Sequence, residues 1–347
     1  MSGAVQHRQP APGARRRLLL GAGALAAPWL AGCAGGTRAA PPARVAALFA
    51  GNVRDGGFME AGRLGLERAA AELGVQTRYL DAVPPVKAEL ARALETLAQA
   101  QPDLVIAHGG QNNEACAEVA ARHPRLRFAV TQGAVRGANL ASYDVLQEES
   151  AYLAGVLAAS ISRTRVVGHM SGIRVAPGLK GRAAYAAGVR DTDPGVRLLT
   201  NFSGNQDDEA LSRRVALAQF DAGADVVFTM LNAGRGGVTE ACRLRGRRQI
   251  GNVVDWTARD PAVFAGSAMA DVGSGLFDAV RDLLAGRFPA GEIRTLGLAQ
   301  GGAVRLAMAP DVPAAARARV EQAAAAIVAG RLHVPTTYAG PEFATPA

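Results

Sequence analysis

Beyond residue 43, short uninterrupted apolar runs alternate with longer stretches in which apolar residues recur every third or fourth position. The first kind reads as a strand buried on both faces, the second as an amphipathic helix. Residues 45–49 form such a run, followed by a glycine-containing loop at 51–57 and a helical pattern at 59–73. The unit recurs with a strand at 104–107, Gly109 and Gly110, and a helix at 113–122, and 128–131 reads as a third strand. The pattern then restarts. Residues 149–163 predict a long helix and 166–169 a strand ending in Ser171-Gly172. Helices at 179–189, 207–222 and 237–244 then alternate with strands at 197–202 and 225–230. Such alternation predicts parallel sheets with helices on both faces. Two rounds of it in 347 residues predict an α/β chain of two doubly wound, Rossmann-like lobes, whose strand-end loops line a cleft between them.

Ahead of this pattern lies a segment of another character. Arg15, Arg16 and Arg17 precede an apolar stretch at 18–31, too short for the roughly 20 apolar residues of a membrane-crossing helix. A cationic start followed by a short apolar run is the layout of a secretory signal. The run ends in Leu30-Ala31-Gly32-Cys33, which resembles a bacterial lipobox with Cys33 as the acylated residue. The adjacent arginines also resemble a twin-arginine signal. Residues 1–32 are therefore expected to be a signal peptide and 33–42 a flexible tether. The chain would be exported and lipid-anchored to the cell membrane on its periplasmic or cell-surface side.

The formal charge of +8 invites a nucleic-acid reading, which the distribution of charge removes. Four of the 38 basic residues (Arg8, Arg15, Arg16 and Arg17) lie in the acid-free leader, and without them the net charge falls by half. The rest alternate with acids along helices, as in Arg63, Glu67 and Arg68, which is the pattern of a solvated face. Cys116 and Cys242 have no zinc-like spacing and read as small buried thiols. The five histidines are dispersed; His108 and His169 end strands and could line the cleft, although a solvated ring is the more ordinary outcome there. There is no GxGxxG before a helix, no Walker loop and no GxSxG elbow. The expectation is a binding protein with no metal, no organic cofactor and no catalytic residue.

Several motifs, in order along the chain, resemble the basic membrane protein family of solute-binding lipoproteins, the group containing the purine nucleoside receptors. They are Asp55-Gly56-Gly57-Phe58, Glu148-Glu149-Ser150 through Leu153-Ala154-Gly155, and Gly223-Ala224-Asp225-Val226-Val227-Phe228. Gly188 before Asp193-Pro194, Gly301-Gly302-Ala303-Val304, and Gly330 before Val334-Pro335-Thr336 support them. The resemblance covers about residues 44–337 and implies a type I periplasmic-binding-protein fold. Its two lobes, joined by a hinge of three strands, close on a small molecule and dock on the membrane permease of an ABC importer. The crossings are expected near 145–148, 255–258 and 290–296. One lobe would then hold 43–146 plus 257–292, and the other 147–256 plus 293–340.

The resemblance also implies site residues. Asp55 matches the acid before the family's Ser-Phe-Asn, and Phe58 the phenylalanine that stacks on the base, while Gly57 and Met59 replace its neighbours. In place of the family's aromatic-rich run this chain has Gly110, Gln111, Asn112, Asn113 and Glu114, with Glu114 where the acid stands. The family's Asp-Ser-Asp-Gln corresponds to Val253, Val254, Asp255 and Trp256, and its lysine would fall near Met269 or Ala270, where there is none. These residues still suit a flat, hydrogen-bonding solute. Phe58 and Trp256 would stack on it, and Asp55, Glu114 and Asp255 would accept from its hydroxyl or ring N–H groups. Asn112, Asn113 and Asn232 would meet a heterocycle edge. The plainer uses are loop capping for the acids and amides and burial under the first helix for Phe58. The expected ligand is a nucleoside, nucleobase or similar heterocycle, bound by a monomer. The alternative is a receptor that reports the ligand to a membrane signalling protein.

Overall fold

The computed structural model describes residues 41–300 and 302–344. The signal peptide, most of the tether and Cys33 lie outside the described residues. The first sheet begins with β1 (Arg44–Phe49), β2 (Gln76–Leu80), β3 (Leu104–His108), β4 (Arg127–Thr131) and β5 (Leu140–Val145). Its helices are α1 (Phe58–Leu73), α2 (Lys87–Gln99) and α3 (Asn113–Arg122). After α4 (Gln147–Ile161) come β6 (Val166–Ser171), β7 (Arg197–Phe202), β8 (Val226–Met230), β9 (Arg248–Val253) and β10 (Phe264–Ala270). They alternate with α5 (Ala176–Thr192), α6 (Glu209–Asp221) and α7 (Arg235–Arg245). The chain then supplies α8 (Gly273–Leu284) and β11 (Ile293–Leu296) to the first lobe, and β12 (Val304–Met308) and α9 (Ala314–Val328) to the second.

Strand order is β11-β5-β4-β3-β1-β2 in one sheet and β12-β10-β9-β8-β6-β7 in the other. Every pair is parallel except β10 with β12. Central strands such as β3 and β8 are buried throughout, because helices cover both faces. The edge strands β2 and β11 are largely exposed and carry Arg78 and Arg294, which discourages pairing with another chain.

Two crossings lie later in the chain than expected. Phe264–Ala270 runs as β10 between β9 and β12, so the middle crossing falls at 271–272 rather than near 255–258. Ile293–Leu296 pairs with β5, so the third crossing follows it, at 297–303. The first lobe is therefore built from 44–145 and 273–296, and the second from 147–270 and 304 onward. The strand at 264–270 was hidden by composition. It reads Phe-Ala-Gly-Ser-Ala-Met-Ala, without the β-branched residues that mark a strand. Small residues are needed there, since a Cβ on Gly266 would come 2.6 Å from Leu157 of α4.

Several of the motifs that carry the family resemblance prove to be structural. Gly155 on α4 and Gly188 on α5 let the two helices touch at backbone distance: a Cβ on either would stand 2.3 or 2.2 Å from a carbonyl oxygen of the other helix. Asp225 accepts from Ser162 Oγ (2.7 Å) and from the N–H groups of Arg163 and Thr164 (2.6 and 3.1 Å), tying the end of α4 to β8. Glu148 and Glu149 serve the crossings. The Glu149 carboxylate accepts from the Leu298 N–H at 2.6 Å, and Glu148 lies 3.1 Å from Lys180 of α5. Lys180 also reaches Asp144 of β5 at 2.9 Å, and so pins the first crossing. Burial opposes its charge, but the Glu148 and Asp144 carboxylates outweigh burial and hold its pKa above the usual lysine value. The three crossings also bond to one another, Leu146 N–H to Leu296 O (2.9 Å) and Asp271 N–H to Ala303 O (2.7 Å). Val145, Ala270, Val272, Ala303 and Val304 give them a small apolar core of their own.

Candidate functional site

The loops at the carboxyl ends of β1 and β8 meet between the lobes. A Cβ on Gly57 would stand 2.8 Å from Asn232 Oδ1, and one on Gly56 would stand 4.0 Å from Arg235 Nη2. A side chain at position 57 would therefore hold the rims apart.

Several of the expected ligand contacts are engaged locally. Asp55 accepts from the N–H groups of Gly57 (2.8 Å), Met59 (3.0 Å) and Glu60 (3.1 Å), capping α1. Asp255 accepts from the Thr257 N–H and hydroxyl (3.0 and 2.6 Å) and from the Ala258 N–H (3.3 Å), capping its own turn. Asn112 is fully buried and donates to the carbonyls of His108 and Gly109, both at 2.9 Å, while its Oδ1 has no partner. Asn113 accepts from the Ala134 N–H at 3.1 Å. Glu114 is 79% exposed and pairs with Lys87 at 3.4 Å, so it belongs to the solvated surface of α3. Capping explains why acids and amides stand at these loop positions.

Phe58 and Trp256 each have a partner already. Phe58 is half-buried and stacks on His108, with ring centroids 4.3 Å apart and planes 27° apart, and it packs against the apolar core of the crossings. Trp256 donates through Nε1 to the Asn252 carbonyl (3.0 Å) and lies against Phe264. The guanidinium groups of Arg235 and Arg259 sit 3.4 and 4.5 Å from its ring centroid. The structure thus brings Asp55, Phe58, Asn232 and, through Arg235, Trp256 to the facing rims, and leaves Glu114 outside.

Arg235 was missed from the sequence, and His108 has a setting other than the expected one. His108 is not a solvated strand end. Its ring is fully buried behind Phe58, with Nδ1 2.7 Å from Thr131 Oγ1 and Nε2 3.0 Å from the Phe58 carbonyl. Burial pulls its pKa down to about 4 against the effect of that carbonyl, so the ring is neutral at pH 7. His169 is its counterpart under the second sheet, equally buried. Arg235 had one visible signal, a lone arginine among glycines (Gly234, Gly236 and Gly237) at the end of a strand.

A groove of about 360 Å³ also opens between the lobes, lined by Ala61, Arg68, Val253, Met269 and Arg305 among others. Val253 holds a left-handed backbone, φ 68°, a strained choice for a β-branched residue. Val253 and Met269 stand where the resemblance would put an acid and a lysine, so this wall of the cleft is apolar here. Among the described residues no group of three metal-ligating side chains exists, and Cys116 and Cys242 are free, buried thiols whose burial raises their pKa to about 12.

The family model for PnrA-like ABC transporter substrate-binding proteins matches residues 43–335. An uncharacterized lipoprotein of Pyrococcus abyssi is 27% identical over 79% of this chain and 72% of its own length. The ABC transporter nucleoside-binding protein BmpA of Lactococcus lactis is 24% identical over 67% of this chain and 71% of its own. Among solved structures, an ABC transporter solute-binding protein of Aeropyrum pernix K1 superposes with a TM-score of 0.76 at 24% identity, covering 85% of this chain and 94% of that one. The last likeness is one of fold, the type I periplasmic-binding fold.

Proposed function

Because this chain belongs to the family of PnrA-like ABC transporter substrate-binding proteins, we propose that its cleft takes a nucleoside or nucleobase-like solute and presents it to the permease of an importer. The observation that supports this reading is the close approach of the two rims, Gly56 and Gly57, next to Phe58, lying against Arg235 and Asn232, with Arg235 in turn on the Trp256 ring. A planar ligand between the lobes gains stacking of roughly 1–3 kcal/mol per ring contact. The printed name of the Lactococcus relative supports the same solute class. Closure then follows from the three crossings, which let the lobes rotate while each keeps its own core.

A thermal-shift screen of nucleosides, nucleobases, flavins and small sugars tests the reading. At 100 times its dissociation constant a ligand adds roughly 2.7 kcal/mol, a rise of several degrees. A response confined to sugars would sink the nucleobase reading while leaving solute binding in place. Anchoring is a proposal of its own, supported by the lipoprotein relative. Cys33→Ala should move the exported protein from the detergent to the aqueous phase, and equal partitioning of both forms would count against acylation.

A further inference from the structure

Arg235 opens α7, and only 7% of the residue is exposed. A guanidinium out of water is costly unless carboxylates or several acceptors meet it. Among the described residues none of the acids comes within ion-pairing distance, and its side chain makes a single hydrogen bond, from Nη1 to the Leu231 carbonyl at 3.3 Å. The group lies over the Trp256 indole, 3.4 Å from the ring centroid, with Nη2 pointing at Gly56 of the opposite lobe. It therefore stands in the cleft with most of its five N–H donors uncommitted.

The surrounding charges do not complete it. Asp55 across the cleft and Glu209 on α6 attract it from beyond ion-pairing range, and Arg259 repels it. Asp55 has moreover committed its oxygens to the start of α1. Burial first, and then Arg259, pull the Arg235 pKa down to about 10, which still leaves it charged at pH 7. Asp55 caps its own loop and Glu114 stands in solvent, so the charged groups at the rims that keep free hydrogen-bonding capacity are Arg235, Arg259 and the second oxygen of Asp255.

We propose that Arg235 is a specificity-determining residue of the cleft and that the solute it selects carries an oxyanion, a carboxylate or a phosphate, which takes the free N–H fork. The inference rests on the proposed function and narrows it to an anionic member of that solute class. A guanidinium presents parallel N–H groups to two oxygens of one anion, and the indole beneath holds it flat for that approach. Because Gly56 lies directly opposite, an anion seated there touches both lobes. Its charge then favours the closed form.

Calorimetric titration of the mature chain decides the matter, with orotate and uridine monophosphate as anionic probes, uracil and uridine as neutral ones, and ribose 5-phosphate as an anion without a base. At least one anionic heterocycle should bind about 100-fold more tightly than its neutral counterpart. Arg235→Lys should reduce that preference to roughly tenfold, and Arg235→Met should abolish it. Without any probe, Arg235→Met should melt within about 2 °C of wild type or above it, because a buried charge without a partner does not stabilise the fold. Equal affinity for neutral and anionic probes would overturn the inference and leave the nucleobase reading standing. Arg235-dependent binding of ribose 5-phosphate alone would do the reverse. Silence from all five probes would overturn both. A melting temperature lowered by more than about 5 °C in Arg235→Met would make the arginine part of the scaffold and end the proposal.

Discussion

Replacing Gly188 by leucine is expected to destabilise the second lobe strongly. The Cβ of any residue at that position stands 2.2 Å from the Tyr152 carbonyl oxygen, and the obstacle is backbone, which cannot rotate away. Gly155→Val meets the mirror problem, 2.3 Å from the Tyr185 carbonyl oxygen. Helix propensity works the other way, since a glycine inside a helix costs roughly 1 kcal/mol relative to alanine. Overpacking against movable side chains costs about 1–3 kcal/mol, and against fixed backbone more. We expect a net loss of about 3 kcal/mol or more, a large part of the roughly 5–15 kcal/mol available to a domain. Urea unfolding followed by circular dichroism measures it. An unchanged midpoint would refute the backbone contact between α4 and α5.

The second large effect is acid sensitivity. His108 and His169 are fully buried, and burial lowers their pKa values to about 4 and about 3. In the unfolded chain a histidine titrates near 6.5. Between these values the unfolded state binds protons that the folded state refuses, so stability is fully present above about pH 6.5 and falls with pH below it. Each ring should cost on the order of 2 kcal/mol by pH 5. The carboxyls of Glu148, Glu149 and Asp278, raised mainly by burial, act in the opposite sense and gain relative stability as pH falls. A difference measurement therefore isolates the histidines. Among Tyr185, Phe202 and Phe228 there is an aromatic setting for a ring at position 169, so His169→Phe is the variant of choice. Denaturant unfolding at pH 7.5, 6 and 5 should show a shallower pH slope in the variant, and parallel slopes would refute the assignment.

The repeated strands and helices were legible because a strand covered on both faces has to be an apolar run, and a helix covered on one side has to carry an apolar stripe. Met59, Gly62, Leu66 and Ala69 are the buried stripe of α1. The middle crossing was illegible for the complementary reason: β10 faces α4 at a distance that admits glycine and alanine, which carry little strand signal. The polar loop residues were ambiguous for another reason. Asp55 and Asp255 stand at loop positions because helices and turns need acceptors there, and a capping carboxylate cannot be told from a ligand-binding one by residue type and spacing. Arg235 was passed over because an arginine at the start of a helical pattern looks solvated until the opposite lobe is in place. Its burial is a tertiary fact.

Each lobe is stitched from two separated stretches of chain, and this sets an order of events during synthesis. The free side of β5 waits for Ile293–Leu296, and that of β10 waits for Val304–Met308. Until about three hundred residues have emerged, both sheets present unpaired strand edges, the surfaces on which chains join one another. Pairings of such long sequence separation also form slowly. The ribosome therefore releases a chain whose last strands complete both halves together, so neither lobe can mature while the other is still being made. A nascent chain of this design depends on being shielded until its final sixth arrives.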